Sequence, residues 1–166
     1  RDYALVVLTL EYYMMYETCY DYDEYQSDEI KTLQQDLSNF LQEADEDPNN
    51  SSNMVYFYTR QSVKKQSSGE WNREHVWPKD GGRAFDANSR AGSDGHHLRP
   101  TEAQLNSTRG SLSFGIVPQT TANIVKQNGS TNYENLCYKA NGLFYPCEGY
   151  RGATARILMY VHTSWA

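Results

Sequence analysis

The chain has 166 residues, a formal charge of −6 and 14 tyrosines, which suits one domain with a real core and excludes a largely disordered polymer. No apolar run reaches the roughly 20 residues that a membrane-crossing helix needs, so no membrane partner is expected. The charge is unevenly spread: residues 1–50 carry 13 acidic and 2 basic side chains, a balance of −11, whereas residues 51–166 carry 8 and 13, a balance of +5. The second stretch therefore suits a polyanionic partner, and the first reads as a solvated acidic face.

Residues 3–20 and 28–43 predict helices. In the second, Ile30, Leu33, Leu37, Phe40 and Leu41 recur at three- and four-residue spacing, a core-facing stripe. Residues 43–53, rich in Asp, Asn and Ser, predict an exposed loop, and 54–58 a short strand. A polar loop over 61–69 leads into a strand carrying Glu74 and His75, and 79–93 predicts a long loop. Residues 101–109 predict a short helix with Pro100 near its start and Gly110 at its end. Asn141-Gly142 is a hairpin turn that sets Cys137 opposite Pro146, one step out of register from Cys147. A bulge would close that gap, so a disulfide and a pair of thiols both stand open. Cys19 is expected to be free and packed, or paired elsewhere. Residues 152–161 predict a last helix. The first residue is not Met, so a removed leader or an internal start is expected, and a native chain that runs past Ala166.

Three runs carry chemistry: Trp71-Asn72-Arg73-Glu74-His75-Val76-Trp77-Pro78, Asp94-Gly95-His96-His97-Leu98-Arg99-Pro100, and Thr101 to Gly110. In the third, Glu102, Asn106 and Arg109 share a helix face. An amide oxygen such as that of Asn106 suits a hard divalent cation like Mg2+ and leaves positions open for phosphate. On an isolated helix Asn is more often a solvated residue, and only the neighbouring runs lift it above that. His75 titrates near neutrality and suits taking a proton from water. Residues 74 and 75 point to opposite sides of a strand, which suits in-line attack at phosphorus with the base on one side and a cation on the other. A lone strand His is usually structural; the adjacent Glu74, Trp71 and Trp77 weaken that reading. Arg73, Arg99, Arg109 and Lys79 suit backbone phosphates, with salt bridging to Glu102 the plain alternative for Arg99 and Arg109. Of His96 and His97, one suits phosphate or metal and the other a hairpin hydrogen bond; His96 is counted with the substrate-binding candidates. Asp94 reads as a turn or orienting residue.

In this order, together with Asn-Ser-Thr-Arg-Gly at 106–110, Ser113-Phe114-Gly115 and the run from Gly149 to Tyr160, the motifs closely resemble the endonuclease I family. These are non-specific nucleases of the ββα-metal (His-Me finger) superfamily. The resemblance covers residues 54–162. It implies an α+β fold with a ββα-metal core and additional helices packed around it, in a single nuclease domain over 1–166. It implies His75 as general base, Glu74 and Asn106 as metal ligands, and Arg99 as a catalytic phosphate clamp, with Arg109 carried over less firmly. The implied cofactor is Mg2+, with Mn2+ or Ca2+ as substitutes. Three departures stand out: Gly95 replaces the usual leucine and is expected to loosen the hairpin, the cysteines do not match the disulfide-rich members, and the family usually continues past its last helix.

The reading is a secreted or periplasmic, monomeric, Mg2+-dependent endonuclease. It cuts DNA with little sequence preference, with RNA left open as a second substrate, to 5′-phosphate and 3′-hydroxyl ends. The alternatives are a catalytically inactive nucleic-acid-binding module of the same fold and a zinc-stabilised module using His75, His96 or His97 with a cysteine. The absence of any Cys-x2-Cys pair disfavours the second.

Overall fold

The computed structural model describes residues 26–65, 70–79, 91–125 and 136–165, with side chains from Gln35 onward. The predicted helix over 3–20 and Cys19 lie outside the described residues. The chain divides into two compact units, residues 1–35 and 36–166, and the catalytic candidates all lie in the second. The architecture is mixed α+β, with helices and three small sheets. Among the described residues no helix is long and apolar enough to cross a membrane.

Helix α1 (Gln26–Ala44) realises the predicted stripe from Leu37 on: Leu37 and Leu41 are buried and Phe40 packs beside them, all against Leu98. The loop expected over 43–53 is instead largely sheet. Strands β1 (Glu46–Asp47), β2 (Asn50–Val55) and β3 (Ser62–Lys64) form an antiparallel sheet in that order. Of β2 only Met54 is buried, so its composition looks like a loop while backbone pairing makes it a strand. Side chains help: the Asp47 carboxylate accepts from the Ser62 hydroxyl and from Asn49 N, and Asn53 Nδ2 donates to Ser62 Oγ at 2.8 Å.

The apolar run expected as a strand over 54–58 leaves the sheet at Tyr56 and becomes a buried turn. Tyr58 has φ 74°, a left-handed conformation rare for a bulky residue. Two bonds stitch this turn to the next hairpin: Phe57 N donates to Pro100 O at 2.8 Å, and Thr101 Oγ1 to Phe57 O at 2.9 Å.

That hairpin is β4 (Trp71–His75) against β5 (Leu98–Glu102), with Glu74 opposite Arg99 and His75 opposite Leu98. Helix α2 (Ala103–Arg109) follows β5 directly and ends at Gly110. It starts two residues later than predicted because Thr101 and Glu102 pair with Asn72 and Trp71. Strands β6 (Ser113–Phe114), β7 (Tyr138–Ala140) and β8 (Leu143–Tyr145) make the third sheet, in the order β6-β8-β7. Asn141 and Gly142, at φ 54° and 75°, form the predicted turn between β7 and β8. Helix α3 (Arg151–Trp165) packs Ile157 and Val161 into a core with Tyr58, Leu105 and Phe144. Cys137 and Cys147 are buried thiols in that core, and both direct Sγ at the Tyr58 carbonyl.

Gly95 does the opposite of loosening the hairpin. A Cβ there would meet Phe40 Cε1 at 2.7 Å, so the glycine lets the hairpin loop press against α1. Gly95→Ala is expected to lower the unfolding free energy by about 1–3 kcal/mol, the usual cost of overpacking. Adding Phe40→Leu should recover part of the loss. Urea denaturation of the two variants checks this, and a Gly95→Ala protein as stable as the wild type would remove the contact from the account.

Candidate active site

Where β4 meets α2, a cleft of about 460 Å³ is lined by Asn72, Arg73, Glu74, His75, Lys79, Asn106, Ser107 and Arg109, among others. The hairpin contributes the carboxylate and the imidazole, and the helix contributes the amide, because β5 runs into α2 without a connecting loop.

Glu74 is 1% exposed. Its Oε1 accepts from the Tyr58 hydroxyl at 2.9 Å and lies 3.1 Å from Arg109 Nη1. Both partners sit on Oε1, so Oε2 would be the oxygen to meet a cation. Burial pushes the carboxyl up to about 7, against the pull of Arg109 and of the Tyr58 hydrogen bond.

His75 is buried, and its Nε2 lies 3.0 Å from Gly92 O. A carbonyl only accepts, so Nε2 carries the hydrogen and the neutral ring keeps its lone pair on Nδ1. Burial, Lys79 and His97 bring its pKa down to about 4, so the ring is a free base at neutral pH. His97, fully buried, meets His75 edge-on at 5.7 Å and donates Nε2 to Ala91 O at 2.6 Å. It is the hairpin-holding histidine of the pair.

Asn106 donates Nδ2 to Asn72 Oδ1 and, at 3.2 Å, to Arg73 O. With the nitrogen end committed, the amide is oriented and Oδ1 would be the end to meet a cation. Glu74 Oε2 and Asn106 Oδ1 are hard oxygen donors on one cleft, a set that fits Mg2+ and leaves most of its coordination to water and phosphate. Among the described residues, no group of three or more His, Cys, Asp or Glu side chains is placed to hold an ion, so the zinc alternative finds no site there.

The arginines divide. Half-buried Arg73 and exposed Lys79 line the cleft. Arg109 also borders it, yet is only 2% exposed and spends its fork internally: Nη1 on His75 O and Nη2 on Val76 O, both at 2.9 Å, with the guanidinium 4.6 Å from the Phe114 ring centre. That is a brace and not an open phosphate fork, because depth decides what a guanidinium can reach. Arg99 is not among the cleft's lining residues; its Nη1 donates to Gly95 O at 3.1 Å and Leu98 O at 2.7 Å, holding the hairpin loop. His96 is exposed and also lies off the cleft. Its Nδ1 pairs with Asp94 at 2.7 Å, and Asp94 in turn accepts from the Tyr160 hydroxyl and Trp165 Nε1 of α3. Tyr58 was missed from the sequence, sixteen residues upstream of Glu74 in a run that reads as strand.

The sequence profile of the family described as Endonuclease I matches residues 9–166. The chain belongs to the endonuclease I family. Two proteins called extracellular ribonuclease, from Bacillus subtilis (strain 168) and Bacillus amyloliquefaciens, are each 38% identical to it over 133 residues. That stretch is 74% of this chain and 40% of each relative, so the chain spans less than half the length of the curated relatives it matches. No solved structure matches it.

In this endonuclease I chain, stripped of divalent ions, Glu74 and His75 push stability in opposite directions. Glu74 titrates near 7 when folded and near 4.5 otherwise, so its contribution is full below about 4.5 and is lost as pH rises through 7. His75 titrates near 4 when folded and near 6.5 otherwise, so its contribution is full above 6.5 and is lost as pH falls through 4. The slopes cancel between roughly 4.5 and 6.5. Glu74→Gln removes the falling limb, and its urea midpoint in EDTA should climb with pH across that window while the wild type stays flat. Parallel curves would show that the buried carboxyl is not raised.

Proposed function

We propose that the chain is a divalent-cation-dependent nuclease, acting outside the cell, that hydrolyses phosphodiester bonds of RNA and of DNA. The observation that carries this is the cleft itself, which is lined by an oriented neutral imidazole, a buried carboxylate and an oriented amide. The relatives' names support RNA as substrate and an extracellular location, and the family supports endonucleolytic cleavage. In this reading the β4–β5–α2 unit is the ββα-metal core.

His75 Nδ1 takes a proton from water as the water oxygen bonds to phosphorus. The bond from phosphorus to the 3′ oxygen breaks, and that oxygen takes up a proton from solvent, leaving 5′-phosphate and 3′-hydroxyl ends. Glu74 Oε2 and Asn106 Oδ1 hold a cation such as Mg2+, with Mn2+ or Ca2+ as substitutes; when bound it supplies positive charge against the charge that develops on the phosphate. Arg73 and Lys79 face the flanking phosphates. Arg109 acts as a positioning residue through Glu74 and the β4 carbonyls. Arg99 and His96, sitting off the cleft, carry no step in this mechanism.

Supercoiled plasmid and a single-stranded RNA, each with Mg2+ and with EDTA, test the activity; cleavage insensitive to EDTA would overturn the cation-dependent mechanism. His75→Ala should lose at least ~100-fold in rate and gain nothing from added Mg2+. Glu74→Gln and Asn106→Ala should show defects that shrink as Mg2+ is raised. A titration that moves all three variants alike would undo the division into base and ligands.

A further inference from the structure

A second cavity, of about 620 Å³ and so larger than the cleft, lies against the other face of α2. Gln104 and Thr108 line it, whereas Asn106 and Arg109 line the cleft. At 3.6 residues per turn the two pairs point roughly 150° apart around the helix. The remaining wall comes from the segment at Asn123–Val125 and from the turn between β7 and β8, including Lys139 and Asn141. None of the described lining residues is acidic, in a chain whose overall charge is −6.

The lining suits one class of ligand. Gln104 and Asn141 make no side-chain hydrogen bond among the described residues, so each offers an amide donor and acceptor side by side, the pattern that matches a nucleobase edge. Lys139 spends one N–H on Thr108 O at 2.9 Å and keeps the others for an anionic oxygen. Val125 is buried behind them, an apolar floor for the face of a base. The amide of Asn141 is presented by a turn whose two φ angles are fixed at 54° and 75°. The volume falls within the roughly 300–1,000 Å³ of sites that enclose a small organic ligand.

Distance ties this cavity to the cleft. A helix with its side chains is about 10–12 Å across. One stacked strand advances about 3.4 Å per nucleotide. A strand must pass round the helix, about 16–19 Å over half its circumference, so one with its reactive phosphate in the cleft reaches the cavity in about five nucleotides. We propose that the cavity is a nucleotide subsite for single-stranded nucleic acid, in which Gln104 and Asn141 read a base edge and Lys139 holds a backbone phosphate. Base edges are open in a single strand and paired in a duplex, so the site favours the former. The proposal rests on the nuclease reading and adds to it a preference for strand type and for one flanking base.

The test is cleavage of single-stranded oligonucleotides of graded length, from a dinucleotide upward, by wild type, Gln104→Ala and Lys139→Gln. Alanine is the best helix former at an exposed position, and glutamine keeps a donor near Thr108 O, so both variants should fold. Wild-type KM should fall roughly tenfold or more once the strand spans the helix, the worth of one good base contact. The variants should lose that fall, with kcat and dinucleotide cleavage unchanged. Lys139→Gln should also flatten the salt dependence by about 0.7 log units per log unit of salt. Variants that keep the full length effect overturn the subsite, and so do variants impaired equally at every length. Wild type that cuts no length sinks the nuclease reading instead. The same variant contrast, read by fluorescence anisotropy of labelled strands, then decides the subsite alone.

Discussion

Arg109 carries a full charge into the interior, where Glu74 answers it at 3.1 Å and the carbonyls of His75 and Val76 each take an Nη hydrogen. Stripping water from such a pair costs several kcal/mol per ion, and the partners must be well placed to return it. Here the same guanidinium spans the end of α2, the end of β4 and the ring of Phe114. A two-stranded hairpin is marginal by itself. This one is clamped at Glu74 and His75, two of the candidate site residues, by one buried group on α2. Removing the Arg109 charge would leave an ionised Glu74 uncompensated, at a cost of about 3–5 kcal/mol.

Burial also inverts the usual order of titration. The carboxyl of Glu74 sits near 7 and the imidazole of His75 near 4. At neutral pH the stronger acid in the pair is therefore the imidazolium, and it is already gone. Two neighbouring residues are pushed in opposite directions by one low-dielectric setting, because one is charged when deprotonated and the other when protonated. In the proposed mechanism that separation suits the two roles: a ring that waits neutral, and a carboxylate whose charge would be kept by a cation beside it.

The convergence of Glu74, His75 and Asn106 on one cleft was legible in the sequence because its signal is local. Adjacent residues on a strand and regular spacing on a helix follow from backbone geometry, and the hairpin turn at Asn141-Gly142 was legible for the same reason. Depth was not. Arg109 read as a surface fork, since sequence shows a side chain's chemistry and not how far it lies from water. Tyr58 was invisible, because an apolar aromatic run spells a strand and gives no sign of the positive φ that turns its hydroxyl toward Glu74. The polar strand β2 was hidden for the converse reason: its residues prefer turns, and pairing with β1 and β3 overrode them. Gly95 made sense only once Phe40 was seen beside it.

The two thiols that share the Tyr58 carbonyl couple this arrangement to redox chemistry. Joining Cys137 to Cys147 would take both S–H donors away from that carbonyl, a penalty of about 1–3 kcal/mol. Closing a loop this short returns at most about 3 kcal/mol. The two terms are of one size, so the packing around the Tyr58 backbone bears directly on whether the bond is worth forming.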